Sequence, residues 1–455
     1  NFIGALTSAG VSGGSGAAGQ TIYVAGANNT IGGIGIGDRN VISGNANNAI
    51  WLSGAGATSN LVAGNYIGLN AAGNAAIGNG GVGVYIDNGA SNNTIGGATA
   101  AHRNVIAGNT QYAVDILDPA TSNNLVQGNY LGTNAAGSAA ISNGGFGVVV
   151  DGGAANTTIK NNLIAGNVNT SWSAIRGGIY IKANGATVQG NIIGWDVTGT
   201  VALGNGGGSI SAGIWEAGTS TNILIGGTAA GQGNTIANNT GPGIAVTSTA
   251  GVKILGNTLT NNTGLGIDLG NNGVTANDAG DADAGPNELQ NFPLLLQATT
   301  TGTTVEMHGL LDAQANTSYR IEFFNNPLGT EDPTGYGEGR IFLFATEVTT
   351  DASGHVAFDL APVAATIAVG DRISATATVK TGANSYGSTS EFSMNLPATS
   401  LNTAPALAGL DGAPAVAPDV RDAGSSRRRW RRRRRFATAG GARRAVRARG
   451  AAAGA

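Results

Sequence analysis

The sequence predicts an all-β protein, a solenoid of about nine coils stacked in parallel and followed by a small β-sandwich. Glycine supplies 77 of the 455 residues without a Gly-X-Y period, which excludes collagen and indicates a tightly turned chain. Nearly the same sequence recurs after 64 residues, and short strands with alternating apolar residues recur inside each repeat. The chain has no Cys, so disulfides and thiolate sites are excluded.

Two pairs of segments carry the 64-residue repeat. "NNTIGGIGIGDRNVISGN" at 28–45 returns as "NNTIGGATAAHRNVIAGN" at 92–109, and "NLVAGNYIG" at 60–68 returns as "NLVQGNYLG" at 124–132. A shorter strand motif, small–aliphatic–any–aliphatic, recurs every 28 to 35 residues over most of the chain, which is the length expected of one coil. Its copies begin at Ala49, Gly83, Ala113, Gly147, Gly178, Gly243 and Gly266, and two copies that fit less well begin at Thr21 and Gly213.

In each motif the two aliphatic side chains are predicted to point inward and to stack on those of the next coil. Asn follows Gly at the ends of many strands, where both residues suit corners because they tolerate positive φ. Such Asn side chains can also form an amide ladder at one corner. They are Asn45, Asn65, Asn109, Asn129, Asn167, Asn191 and Asn257. Glu216 falls at an inward position, so either its strand ends at Trp215 or this coil is paired differently.

The segments "NTIGG", "RNVISGN" and "GN" resemble those of right-handed parallel β-helix repeat proteins of bacterial cell surfaces and secretions, from Thr21 to Leu296. The resemblance implies a right-handed parallel β-helix in a secreted or cell-surface bacterial protein. That fold hosts pectin lyases, glycosidases, phage tailspikes and non-catalytic adhesins, so it leaves the function open.

The predicted β-helix spans residues 1–296, and the polar segment 271–295 is expected to close its end. Alternating strands predict a β-sandwich over 297–397, Ig-like in length and strand count. Residues 398–420 resemble the truncated start of a cadherin-like repeat from long bacterial adhesins. The Arg-rich segment 421–455 is predicted to be disordered. It is either a basic anchor for nucleic acid or anionic lipid, or a stretch of DNA translated out of frame.

Charge divides the chain into two unlike parts. Residues 1–420 hold 10 Lys and Arg against 25 Asp and Glu, whereas residues 421–455 hold 13 Arg against one Asp. The acidic body argues against nucleic acid as a partner. No apolar run approaches the ~18 residues of a membrane span, and Asn1 begins the chain without a basic leader. We therefore expect a soluble, processed or partial protein.

The residue between the two inward aliphatics should face outward, which gives one outer column down the solenoid. Exposed aromatic rings in a row can stack on sugar rings, and acidic side chains can bind sugar hydroxyls. The predicted carbohydrate-binding residues, for a polysaccharide or cell-surface glycan, are Tyr23, Trp51, Tyr85, Asp115, Tyr180 and Trp215. The alternative is that these rings only cover one another.

Asp87, Asp115 and Asp151 are the candidates for catalysis on the same wall. Asp87 and Asp151 should lie two coils and ~10 Å apart, which an inverting glycosidase could use. The column lacks the His and basic residues of such sites, and no neighbour is expected to raise one carboxyl pKa. Arg39 and Arg103 occupy equivalent repeat positions and are predicted to be structural. Non-catalytic binding is preferred, with a polysaccharide hydrolase or lyase, or a passive stalk, as alternatives.

A dense set of oxygen donors follows the last predicted strand of the solenoid. Asp278, Asp281, Asp283, Asn287 and Glu288 fall within eleven residues of a loop bent by glycines. Hard oxygen ligands at this density can bind calcium. The spacing is not that of an EF-hand, and a closing loop without metal is the alternative.

Overall fold

A computed structural model describes residues 1–4, 6, 22–35, 37–168, 175–248 and 251–401. The predicted start of a cadherin-like repeat, from residue 402 on, and the Arg-rich tail lie outside these residues. The described chain is all-β, with three parallel sheets followed by two smaller sheets of mainly antiparallel strands. Its two short 3-10 helices are Ala100–His102 and Pro286–Leu289. None of its helices is long and apolar enough to cross a membrane.

The three parallel sheets form the coils of the β-helix. Sheet 1 contains Phe2–Gly4, Val41–Ser43, Tyr66–Ile67, Val105–Ile106, Tyr130–Leu131, Leu163–Ile164, Ile192–Ile193, Thr235–Ala237 and Thr258–Thr260. Sheet 2 contains Ile22–Val24, Ile50–Ser53, Val84–Asp87, Val114–Ile116, Val148–Val150, Ile179–Ile181, Ile214–Glu216, Ile244–Val246 and Ile267–Leu269. Sheet 3 contains Thr30–Gly32, Leu61–Ala63, Thr94–Gly96, Leu125–Gln127, Thr158–Lys160, Thr187–Gln189, Leu224–Gly226 and Lys253–Leu255.

The chain visits sheets 1, 2 and 3 in turn, so one strand of each makes one coil. The right-handed β-helix of about nine coils is therefore confirmed. Sheet 2 is built from the predicted strand motif, and its aliphatic pairs point inward: Ile50, Leu52, Val84 and Ile86 are fully buried. Equivalent aliphatics from all three sheets form one continuous core, because period-2 strands place alternate side chains on the same face.

The 64-residue repeat corresponds to two coils, because neighbouring coils carry complementary features. The Arg39 guanidinium stacks over the Tyr66 ring of the next coil at 4.1 Å, and Arg103 stacks over Tyr130 at 4.0 Å. Every second coil also extends into a short hairpin, closed by bridges between Leu69 and Ala76, Thr133 and Ala140, and Trp195 and Ala202. The structural role predicted for Arg39 and Arg103 agrees with these contacts, since a cation over a ring favours one coil order.

Amide ladders occupy three corners of the coil instead of one, and the seven predicted Asn residues divide between two of them. In the first ladder the side-chain Nδ2 of each Asn donates to Oδ1 of the next at 2.9–3.1 Å. Its members are Asn1, Asn40, Asn65, Asn104, Asn129, Asn162, Asn191, Asn234 and Asn257. The second ladder, with bonds of 2.7–3.1 Å, contains Asn45, Asn79, Asn109, Asn143, Asn167, Asn205, Asn239 and Asn262. A third, shorter ladder joins Asn29, Asn60, Asn93 and Asn124.

The expected reason for Asn at these corners is wrong. Gly64 and Gly128, which precede ladder residues, have φ of +74° and +70°, whereas none of the seven predicted corner Asn residues has positive φ. A Cβ on Gly64 would also lie 2.2 Å from the Gly33 carbonyl oxygen. Glycine therefore makes the turn, and Asn is needed because its amide both donates and accepts a hydrogen bond.

The β-sandwich begins at Leu294 and extends to Ser400, beyond both predicted bounds. Sheet 4 has the order His355–Ala364, Thr304–Asp312, Leu294–Thr300 and Thr399–Ser400. Sheet 5 has the order Ile341–Thr349, Ser318–Asn326, Arg372–Gly382 and Ser385–Thr389, with Leu396–Pro397 paired to Arg372–Gly382. Side chains from both sheets form one core, in which Phe323 and Phe358 contact each other with ring centroids 5.9 Å apart.

The sandwich itself covers the last coil, a role predicted only for segment 271–295. One buried glutamate meets the end of each parallel sheet. Glu322 accepts the Gly256 N–H at 2.8 Å beside sheet 3, Glu338 accepts the Asn262 N–H at 3.0 Å beside sheet 1, and Glu391 accepts the Leu269 N–H at 2.9 Å in sheet 2. Phe324 and Phe392 complete the helix core from the sandwich side. Sheet ends left open would expose unpaired N–H groups and core side chains.

Segment 271–295 also takes part in closing this end, for example through Asn287. Asn287 is fully buried, accepts the Val252 N–H and donates to the carbonyls of Val252 and Thr389. It therefore pairs with the backbone next to the last strand of sheet 3.

Glu216 does lie inside the β-helix. Its strand continues through Glu216 and pairs in register with Ile181 and Val246. The side chain is fully buried, and its Oε2 accepts the Ser248 N–H at 3.2 Å. Burial raises the pKa of this carboxyl.

Candidate functional site on the outer wall

The predicted outer column exists in the predicted register. Sheet 2 pairs Tyr23, Trp51, Tyr85, Asp115, Val149, Tyr180, Trp215, Ala245 and Asp268 as successive neighbours. We call this column and the next outward position of each strand the outer wall. These side chains lie outside the aliphatic core of the β-helix, so the alternation of the strand motif alone predicted their direction.

The first three rungs present an aromatic row. Tyr23 is 57% exposed, and Trp51 and Tyr85 are half-buried. The rings of Tyr23 and Trp51 meet edge to face with centroids 5.1 Å apart, and those of Trp51 and Tyr85 are tilted by 34° at 6.0 Å. The rings contact one another and still leave surface exposed to solvent, so mutual stacking does not by itself cover this row.

The later rungs differ, and the predicted exposure of Trp215 is wrong. Trp215 is 8% exposed because it packs in a cluster with Phe146, Val149 and Ala212. Tyr180 is half-buried beside Phe146, with ring centroids 5.6 Å apart. Phe146 and Ala212 come from coil segments outside the sheet 2 strands, so the strand motif could not predict this cover.

Asp87 and Asp151 flank the column at the next outward position of their strands. Asp87 is buried, and its Oδ1 accepts the indole N–H of Trp51 at 2.8 Å. Asp151 lies two coils further on and forms a partly exposed ion pair with Lys182 at 3.9 Å. Both carboxylates therefore have partners on the wall itself.

Asp115 lies between them and is the most perturbed acid of the wall. It is 5% exposed, and its Oδ1 is buried without a hydrogen-bond partner. Burial, together with the charges of Asp151, Asp87 and Asp118, raises the pKa of Asp115 to about 8. The expectation that no neighbour raises a carboxyl pKa is therefore wrong.

Two residues near Asp115 were missed in the sequence. Asp118 follows the strand and adds to the negative potential at Asp115. Tyr112 precedes it, and burial together with Asp115 raises the pKa of its phenol to about 12. Burial and nearby Asp87 likewise raise the pKa of Tyr85. The phenols remain neutral hydrogen-bonding groups beside the acids.

The predicted calcium ligands separate into two groups. Asp278, Asp281 and Asp283 each place one carboxylate oxygen within 4.8 Å of the others. The amide of Asn287 is engaged by the backbone of Val252 and Thr389. Glu288 lies outside this cluster of three and accepts the Ser388 hydroxyl at 2.8 Å.

Comparison with known proteins agrees with the fold. Residues 146–280 match the family model described as the right handed beta helix region. The matched stretch includes the coils that carry Val149, Tyr180, Trp215 and Asp268. No curated protein matches the chain.

Proposed function

We propose that the protein is a non-catalytic, exported bacterial surface protein that binds polysaccharide along the open part of its outer wall. The open part consists of Tyr23, Trp51 and Tyr85, with Asp87 and Asp115 beside them. The single observation that supports binding most is this row of partly exposed rings on three successive coils. Repetition at the coil spacing suits a ligand that itself repeats, since one sugar ring can meet each rung.

Acidic groups lie beside one end of the row, and because Asp87 and Asp115 are 4% and 5% exposed, they support the rings more than they face a ligand. Asp115 holds a carboxyl oxygen without a partner, and Asp87 fixes the Trp51 ring through its indole N–H. Oriented polar groups beside apolar faces are typical of carbohydrate sites. The Ig-like sandwich and the resemblance of the following segment to adhesin repeats fit a modular surface protein, and export rests on the resemblance of the coils to β-helix repeats of secreted and cell-surface proteins.

A second candidate is polysaccharide cleavage, and the state of Asp115 favours it. With its pKa raised to about 8, Asp115 is protonated at neutral pH and could act as general acid, while Asp87 or Asp151 could act as base. Only 5% of Asp115 is exposed, so a glycosidic oxygen would have to reach it past neighbouring side chains. Binding without cleavage is therefore the first proposal.

Affinity gel electrophoresis of the full chain against a panel of neutral and acidic polysaccharides tests binding. We expect at least one polysaccharide to retard the protein. Tyr23→Ala and Trp51→Ala should weaken retardation roughly tenfold each, because a lost sugar–ring contact costs about 1–2 kcal/mol. Tyr23 is mostly exposed, so its substitution should leave the thermal midpoint unchanged.

Tyr386→Ala, on the sandwich, is the matched control and should retain full retardation. Trp51→Phe keeps a ring and should retain part of it. Retardation that is equal in wild type, Tyr23→Ala and Trp51→Ala would contradict binding at this wall. If the protein is a passive stalk, no polysaccharide of the panel should retard it.

The same incubations, assayed for reducing ends and for unsaturated products, test the second candidate. Hydrolysis by Asp115 predicts reducing ends that disappear in Asp115→Asn and an activity that falls as the pH rises through about 8. Absence of both products with wild type, in the presence of retardation, leaves the non-catalytic proposal standing.

A further inference from the structure

The loop between the β-helix and the sandwich carries an acidic cluster that the outer wall does not use. Asp278, Asp281 and Asp283 are brought together by a turn in which Gly280 and Asp281 have φ of +72° and +55°. One carboxylate oxygen of each lies within 4.8 Å of the other two. Calcium–oxygen distances of about 2.3–2.6 Å allow a single ion to reach oxygens with this spread.

Asp281 provides a second, independent observation. The residue is 6% exposed, its Oδ1 accepts the Asn291 N–H at 2.8 Å, and its Oδ2 is buried without any hydrogen-bond partner. A buried carboxylate oxygen left unpaired costs free energy that a cation would recover. Among the ion pairs found in the described part of the chain, none includes a member of this cluster.

The charge around Asp281 points the same way. The carboxylates of Asp278, Asp283 and Glu288 act on Asp281 as like charges, and Asp278 acts in the same way on Asp283. Mutual repulsion of this kind is relieved by a divalent ion, because its charge is larger than that of any single side chain.

From this geometry we propose that Asp278, Asp281 and Asp283 bind one calcium ion at the junction of the β-helix and the sandwich. The three carboxylates supply part of the six to eight oxygens that calcium takes, and water completes the shell. The loop is already attached to the sandwich, since the Gly280 N–H donates to Asp312 at 3.0 Å and Asn291 donates to the carbonyls of Asp278 and Asp312. The ion would therefore stabilise the junction and not the outer wall.

Calorimetric titration of the full chain with calcium chloride, after chelator treatment, is the direct test. We expect one site with a Kd of roughly 0.1–1 mM, typical of extracellular calcium modules. Saturating calcium should raise the thermal midpoint by roughly 2–4 °C. Magnesium should bind at least tenfold more weakly, because it demands shorter bonds and a stricter geometry.

Asp281→Asn removes the charge and keeps an oxygen for the Asn291 N–H, so it should weaken calcium binding at least tenfold and abolish the thermal shift. Asp283→Asn changes an exposed residue that does not endanger folding, and it should weaken binding as well. Asp38→Asn, an exposed carboxylate near the other end of the β-helix, should bind like wild type. The proposal is overturned if wild type shows no saturable calcium heat, if magnesium binds equally well, or if Asp283→Asn binds calcium like wild type.

Discussion

The body of the β-helix and its C-terminal end solve the same hydrogen-bonding problem with different side chains. In the body each corner amide accepts from one coil and donates to the next, as Asn129 does between Asn104 and Asn162. At the end of the second ladder Asn262 donates to Oε1 of Glu338 at 3.0 Å. A carboxylate only accepts, so it can finish a ladder and cannot continue one.

The residue type at a corner therefore depends on whether another coil follows. In a longer β-helix, the N–H groups at the edge of the last coil would donate to a tenth coil. Here they donate to the carboxylates of Glu322, Glu338 and Glu391. The body remains neutral along its corners, whereas the end concentrates buried acid. Stability of the two regions should therefore respond differently to amide removal, to pH and to contacts on the outside of the coils.

The largest expected effect follows from removing an amide in the middle of a ladder. Asn129→Ala removes the hydrogen bonds of three buried groups, the side chains of Asn104 and Asn162 and the carbonyl of Ile95. It should therefore lower the free energy of unfolding by about 3–5 kcal/mol. Asn129→Asp should cost at least as much, because a carboxylate cannot donate to Asn162 and adds a buried charge. Urea denaturation followed by circular dichroism measures both.

Asn74→Ala is the control for this substitution, since Asn74 is exposed and bonds only within its own hairpin loop. It should change the unfolding free energy by less than about 0.5 kcal/mol. A milder effect for Asn129→Asp than for Asn129→Ala would contradict the argument that the body needs donors as well as acceptors.

A smaller effect concerns pH: the C-terminal end of the β-helix should lose stability as pH rises, whereas the amide ladders of the body should not. Burial raises the pKa of Glu338 and of Glu391 to about 7, well above the value of a Glu in the unfolded chain. The folded protein therefore holds protons that the unfolded chain has released, so the stabilisation is complete below about pH 4.3 and is lost as pH rises through about 7. Each group should contribute a loss on the order of 1–3 kcal/mol between pH 5 and 8.

Glu338→Gln keeps an acceptor and removes the titration, so urea denaturation of this variant should show a shallower fall of stability from pH 5 to pH 8 than wild type. The ladder amides do not titrate, and Asn129→Ala should therefore lower the unfolding free energy by the same amount at both pH values. An equal slope in wild type and Glu338→Gln would show that Glu338 does not titrate in this window.

The smallest effect concerns contacts on the outside of the coils. Arg103→Ala removes a cation stacked 4.0 Å over Tyr130 and should cost about 1 kcal/mol, and Arg39→Ala should cost a similar amount through Tyr66. Tyr130→Phe keeps a ring under Arg103 and should be nearly neutral. Equal thermal midpoints for wild type and both Arg variants would remove cation stacking as the reason for the two-coil repeat.

Much of the candidate site could be predicted because a strand has a period of two residues. The alternation around Trp51 and Tyr85 placed both rings on the outside and in register without any coordinates. The same rule gave no information on Trp215, which is covered by residues such as Phe146 that lie outside the sheet 2 strands. Exposure depends on what packs above a strand, whereas direction depends only on the strand itself.

For the acidic residues, too, sequence predicted the position and missed the environment. Sequence grouped Asp87, Asp115 and Asp151 by counting coils, but the raised pKa of Asp115 comes from burial, from Asp151 and Asp87 on neighbouring coils, and from Asp118 three residues further along the chain. In the loop after the β-helix, sequence spacing found the cluster of Asp278, Asp281 and Asp283. It could not separate Asn287, whose amide is engaged by backbone 35 and 102 residues away.

Local periodicity and glycine at the turns were enough to predict the coiled architecture, the number of coils and the direction of each strand side chain. They could not predict which corner each Asn ladder occupies, which part of the outer wall stays open or which residues cover the last coil. Those features arise between segments far apart in the chain, where burial and unpaired hydrogen-bonding groups, and not local pattern, set the free energy.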